Sequence, residues 1–84
     1  MKVYVVNNLV FSYMPHEIDI YNKVFTNKND AHKYFFEAIR EARIEAYGCD
    51  EDQGELNEGC FELLVEEELN EYELKITIEC VDLN

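Results

Sequence analysis

Hydrophobic and polar positions change period four times along this chain. The stretch "KVYVVNNLVF" opens with Val3, Tyr4, Val5 and Val6, β-branched and aromatic types that suit a strand, in a run apolar enough to lie centrally in a sheet. "SYMPHE" breaks the pattern, since Pro15 lacks a ladder donor. "IDIYNKVF" then alternates Ile18, Ile20 and Val24 against Asp19, Tyr21, Lys23 and Phe25, which predicts a second strand hairpinned to the first. From Thr26 the period lengthens to three and four. Ala31, Tyr34, Phe35, Ala38, Ile39, Ala42, Ala46 and Tyr47 form the apolar stripe of an amphipathic helix, with Thr26 or Asn27 as cap, Asp30 in the first turn and Gly48 at the end.

Period two returns near the C-terminus. "CFELLVEEE" places Phe61, Leu63 and Val65 on one face, and "YELKITIECV" places Leu74, Ile76, Ile78 and Cys80 opposite Glu73, Lys75, Thr77 and Glu79. Two more strands are expected, joined near Leu69 and Asn70. The predicted fold is α+β, in the order ββαββ: a four-stranded, mainly antiparallel sheet with one helix packed on one face. Eighty-four residues make a single domain, 1–84, with a thin core and little room for a deep catalytic cleft.

Charge is distributed far less evenly than hydrophobicity. The net charge is −12, yet residues 1–44 carry six basic and five acidic side chains while residues 45–84 carry one basic and fourteen acidic. Such asymmetry marks an interaction surface more often than uniform acidity does, and it argues against direct binding to nucleic acid, where affinity comes from Lys and Arg displacing counterions. The absence of a long apolar run and the repulsion from anionic headgroups argue against membrane attachment. Three cysteines without a close pair, and an N-terminus without a secretory pattern, lead us to expect a reduced, cytoplasmic protein.

Specific chemistries fare poorly against the spacing. A calcium loop begun at Asp50 has Asp52 at its third position, but Gly54 at the fifth, Glu55 at the sixth and Phe61 at the twelfth, where an EF-hand needs an oxygen ligand, a glycine and a glutamate. Cys49 and Cys60 are too far apart for a zinc knuckle, and Cys80, His16 and His32 fall in other elements. We read Cys80 as a small buried residue of an inward strand face, Cys49 and Cys60 as loop-end thiols, His16 as a loop residue and His32 as a helix-surface residue. No phosphate loop, nucleophile elbow or Cys-His motif is present, so no metal, cofactor or catalytic residue is expected, and the chain is read as a non-enzyme.

What remains is a surface. With Phe61, Leu63 and Val65 inward, Glu62 and Glu66 point outward, together with Glu73 and Glu79. Residues two apart on a strand face lie about 6.8 Å apart, a spacing of the order of successive phosphates. Asp50, Glu51, Asp52, Glu55 and Glu58 in the preceding loop, and Glu67, Glu68 and Glu71 at the hairpin end, extend the array. Solubility alone is the competing explanation, but mixed signs would serve it with less repulsion. On the helix, Phe36, Arg40 and Arg43 lie on one stripe and offer a second contact face.

The short length, the absence of enzymatic motifs, the αβ pattern and the Glu-rich "ELNEGCFELLVEEELNEYELK" together resemble the small acidic anti-defence proteins of bacteriophages and mobile elements, the anti-CRISPR and DNA-mimic proteins. The resemblance implies a protein of the host cytoplasm that inhibits a basic, nucleic-acid-binding defence protein, such as an RNA-guided nuclease, by occupying the site where it would contact DNA. The alternative is a homodimeric or larger homo-oligomeric regulatory or structural module that associates through the helix face.

Overall fold

A computed structural model describes residues 1–13, 16–47, 54–67 and 70–83. It contains β1 (Lys2–Tyr13), β2 (His16–Phe25), α1 (Lys28–Tyr47), β3 (Glu55–Asn57), β4 (Cys60–Glu67) and β5 (Asn70–Asp82). All strands are antiparallel in one sheet of order β2-β1-β5-β4-β3. The α+β class, the single helix and the antiparallel sheet match the sequence pattern. The strand count does not, because the sheet has five strands where four were expected.

The additional strand is β3, cut from what reads as an acidic loop. Asn57 pairs with Cys60, so Glu58 and Gly59 alone turn the chain, and Gly59 supplies the positive φ of 72° that this reversal requires. Leu56 then lies opposite Phe61, an apolar pair too short to show as a period. His16, expected in a loop, opens β2 instead.

The helix begins as its sequence dictates. Asn27 Oδ1 accepts hydrogen bonds from the backbone N–H groups of Asn29 (2.8 Å) and Asp30 (3.3 Å), occupying donors that a helix start leaves without partners. Its stripe is then buried at Ala31, Phe35 and Ile39, with Tyr34, Ala38 and Ala42 half-buried beside them. These meet Val6 of β1, Phe61, Leu63 and Val65 of β4, and Leu74 and Ile76 of β5 in one core. The run at β1 does sit centrally, between β2 and β5. The chain ends are tied together there as well, with the Leu83 N–H donating to Met1 O at 2.6 Å and the Met1 ammonium to Leu83 O at 3.1 Å.

The molecule is two layers deep, 47 × 27 × 17 Å. One face of the sheet carries the helix and the other carries no element among the described residues. No described helix is long and apolar enough to cross a membrane.

Candidate protein-interaction surface

Register decides what the uncovered face displays. Because Val6 and Ile76 face the helix, the alternate positions face outward, and the pairing aligns them in rows across the sheet. One row runs Glu55, Glu62, Lys75, Leu9, Ile20 from β3 to β2. The next runs Leu64, Glu73, Phe11, Ile18, and another, from β5, runs Glu79, Val5, Val24. In these three rows the glutamates lie on the C-terminal strands, with Leu64 and Lys75 among them, and the N-terminal hairpin positions are apolar; the row through Thr77, Asn7 and Asn22 between them is polar. The face is therefore divided into an acidic half and an apolar half.

The acidic half brings together Glu55, Glu62, Glu71, Glu73 and Glu79, all exposed. Glu58 is also exposed, in the turn at the margin. Glu66 and Glu67 lie in β4, but their side chains are outside the described set, and Asp50, Glu51, Asp52 and Glu68 lie outside the described residues altogether. Lys75 stands inside this field, its Nζ 3.8 Å from Glu62 Oε1, and both side chains are about half-exposed. The adjacent Glu55–Glu62 cross-strand pair is a like-charge contact that Lys75 partly offsets. An open groove of about 620 Å³ runs along the boundary between the halves, with Leu9, Phe11 and Leu64 contributing apolar surface and Glu62, Glu73 and Lys75 contributing charge.

The apolar half is what the alternating pattern conceals. Ile18, Ile20 and Val24 are 61%, 63% and 60% exposed, although their period of two looks like that of a core-facing strand. Periodicity identifies the strand but not the face it buries, and pairing with β1 turns these three away from the helix. The readable signal was β1 itself. "VYVVNNLVF" is apolar at both parities, so Leu9 and Phe11 occupy the face opposite Val6 and Val10.

On the helix, Phe36 is 53% exposed, stacked with His32 at 6.5 Å between ring centroids and edge-on to Phe35 at 5.3 Å. Arg40 is exposed, whereas Arg43 is half-buried with its guanidinium 5.1 Å from the centroid of the fully buried Phe61 ring. The proposed stripe thus splits into an exposed part, Phe36 and Arg40, and a part engaged with the core.

Cys80 is exposed, not buried as expected. β4 pairs with β5 only as far as Thr77, so Cys80 has β1 alone beside it. Cys60 is half-buried at the β3–β4 turn, its Sγ 3.9 Å from Glu62 Oε1, and Cys49 lies outside the described residues. Among the described residues, no three His, Cys, Asp or Glu side chains converge into a metal-binding set. Comparison with protein-family models, with curated proteins and with solved structures finds no match for this chain.

Proposed function

We propose that this chain is a non-catalytic inhibitor of the cytoplasm that binds a basic, nucleic-acid-binding host defence protein, such as an RNA-guided nuclease, through the acidic half of its uncovered sheet face. The observation that supports this reading is the convergence of Glu55, Glu62, Glu71, Glu73 and Glu79 on one uncovered face, held at strand spacing by backbone pairing. Carboxylates about 6.8 Å apart along a strand and about 4.8 Å apart between strands can meet Lys and Arg side chains arrayed for phosphates. A rigid sheet spends little conformational entropy in doing so. The adjoining apolar groove adds what nucleic acid lacks, a desolvated contact for aliphatic or aromatic side chains at the edge of the basic site.

The test is competition. A candidate RNA-guided nuclease is bound to the protein with and without its target DNA, at low and at physiological salt. Mutual exclusion, with affinity falling as salt rises, is the expected result. Simultaneous and independent binding of both ligands removes the mimic reading. Changing Glu62, Glu73 and Glu79 together to Gln should weaken binding far more than the same change at Glu17 or Glu37, which lie off this array.

A further inference from the structure

The edge of the sheet at β2 carries a self-complementary pattern. Among the described residues β2, ten residues long, has a single strand neighbour, β1, whereas the opposite edge, β3, is only three residues. Every described side chain from Glu17 to Val24 is exposed. Asp19 and Lys23 share the helix-side face of this strand, opposite Val10 and Val6 of β1. Four residues of strand separate them by about 13 Å, too far for contact within one chain. Lys23 instead places Nζ 4.9 Å from the Tyr34 ring centroid and 5.7 Å from that of Phe25. Asp19 lines a cleft of about 370 Å³ with Glu37, Glu41 and Glu45, and among the described residues that line it none is a cation.

We propose that the chain forms a two-fold dimer in which β2 pairs antiparallel with β2 of a second copy, the axis passing between the two Tyr21 residues. In this register Asp19 stands opposite Lys23 of the second copy, and Lys23 opposite its Asp19. Each ammonium thereby reaches the mouth of the other copy's carboxylate-lined cleft. On the uncovered face Ile18 meets Val24 and Ile20 meets Asn22 of the second copy, as directly opposed pairs in an antiparallel ladder.

Charge also selects a second copy for this edge over any other edge of the molecule. Two chains of net charge −12 repel, and they approach at lowest cost through the half that is nearly neutral, residues 1–44. Joining at β2 sets the two acidic halves at opposite ends of a ten-stranded sheet. The two copies of β5 are then five strand spacings apart, about 24 Å, well beyond a screening length of about 8 Å.

Sedimentation of the intact chain from low to high micromolar concentration at physiological salt should show a concentration-dependent dimer. In the concentrated sample, alternate backbone amides of β2 should exchange more slowly. D19K places lysine opposite lysine at both ends of the ladder and should raise the dimer Kd about tenfold. The swap D19K/K23D re-pairs the charges and should restore it to within about threefold, with circular dichroism confirming that both variants are folded. A monomer at every concentration overturns the proposal, as does a dimer indifferent to D19K or a folded swap variant that stays monomeric. Loss of the dimer on Phe36→Ala with β2 exchange unchanged overturns it too, in favour of the helix face.

Discussion

Lys75 and Glu62 stand directly opposite each other on β5 and β4, and their 3.8 Å contact places a positive charge inside the acidic half of the uncovered face. Both side chains are about half in solvent, so the pair itself contributes no more than about 1 kcal/mol. Its larger effect is on the neighbouring carboxylates: Glu55 lies beside Glu62 across the sheet, and Glu73 is two residues from Lys75 on the same face. Lys75→Gln should lower stability by about 0.5 kcal/mol at low ionic strength, and the loss should vanish in molar salt. Thermal unfolding at two salt concentrations measures this. A loss that persists in high salt would mean that Lys75 packs and does not neutralise.

Arg43 behaves as part of the core. Its guanidinium lies 5.1 Å from the centroid of Phe61, which has no solvent exposure, so it covers an apolar ring that would otherwise meet water. Arg43→Ala should cost about 1–2 kcal/mol in urea denaturation, while Phe36→Ala, which removes a half-exposed ring, should cost less than half of that. Equal and small effects would return Arg43 to the role of a surface contact.

The elements were legible because each repeats one periodicity for long enough. The helix stripe from Ala31 to Ala42 and the alternation Leu74, Ile76, Ile78 survive folding with the same faces inward. Face assignment at β2 was not legible, since Ile18, Ile20 and Val24 alternate as a core strand does and only the register with β1 turns them outward. β3 escaped notice because three residues cannot establish a period, and its one apolar contact, Leu56 with Phe61, spans a turn. The acidic site was readable at Glu62, Glu73 and Glu79, where parity with buried neighbours fixes the face. Glu55 was readable as an acid of the adjoining loop, but its position directly opposite Glu62 comes from the strand that the pattern did not reveal.

Gly54 anchors that strand and tolerates no side chain. Its φ is +84°, and a Cβ built there would lie 2.7 Å from the backbone oxygen of Glu62 and 2.8 Å from Cζ of Phe61. Neither neighbour can yield cheaply, one being backbone and the other a buried ring. Gly54→Ala should therefore cost about 2 kcal/mol or more, combining left-handed strain with steric overlap. Because β3 is short and marginal, the loss should fall first on it, appearing as faster amide exchange at Glu55–Asn57 and on the facing residues of β4 before global unfolding. Gly59→Ala, whose Cβ would meet Ile78 O at 3.3 Å, should be milder.

Asn7 and Asn8 are neighbours of one residue type on opposite faces of β1, and this predicts opposite responses to the same substitution. Asn7 on the uncovered face donates from Nδ2 to Thr77 Oγ1 at 3.4 Å, a weak contact within reach of water. Asn8 points to the helix side, between Ile76 and Tyr21 in its row, and its Oδ1 is buried with no donor among the described residues. A buried acceptor left without a donor costs about 1–3 kcal/mol, whereas a valine in that place adds β-branched surface beside Ile76 and leaves nothing polar to satisfy. Asn8→Val should accordingly stabilise the fold by about 1 kcal/mol, raising Tm by about 5 °C. Asn7→Val should change stability by less than about 0.5 kcal/mol. Differential scanning calorimetry of the two variants separates them, and a lower Tm for Asn8→Val would show that its side-chain amide contributes more to the core through polar contact than its unpaired oxygen costs.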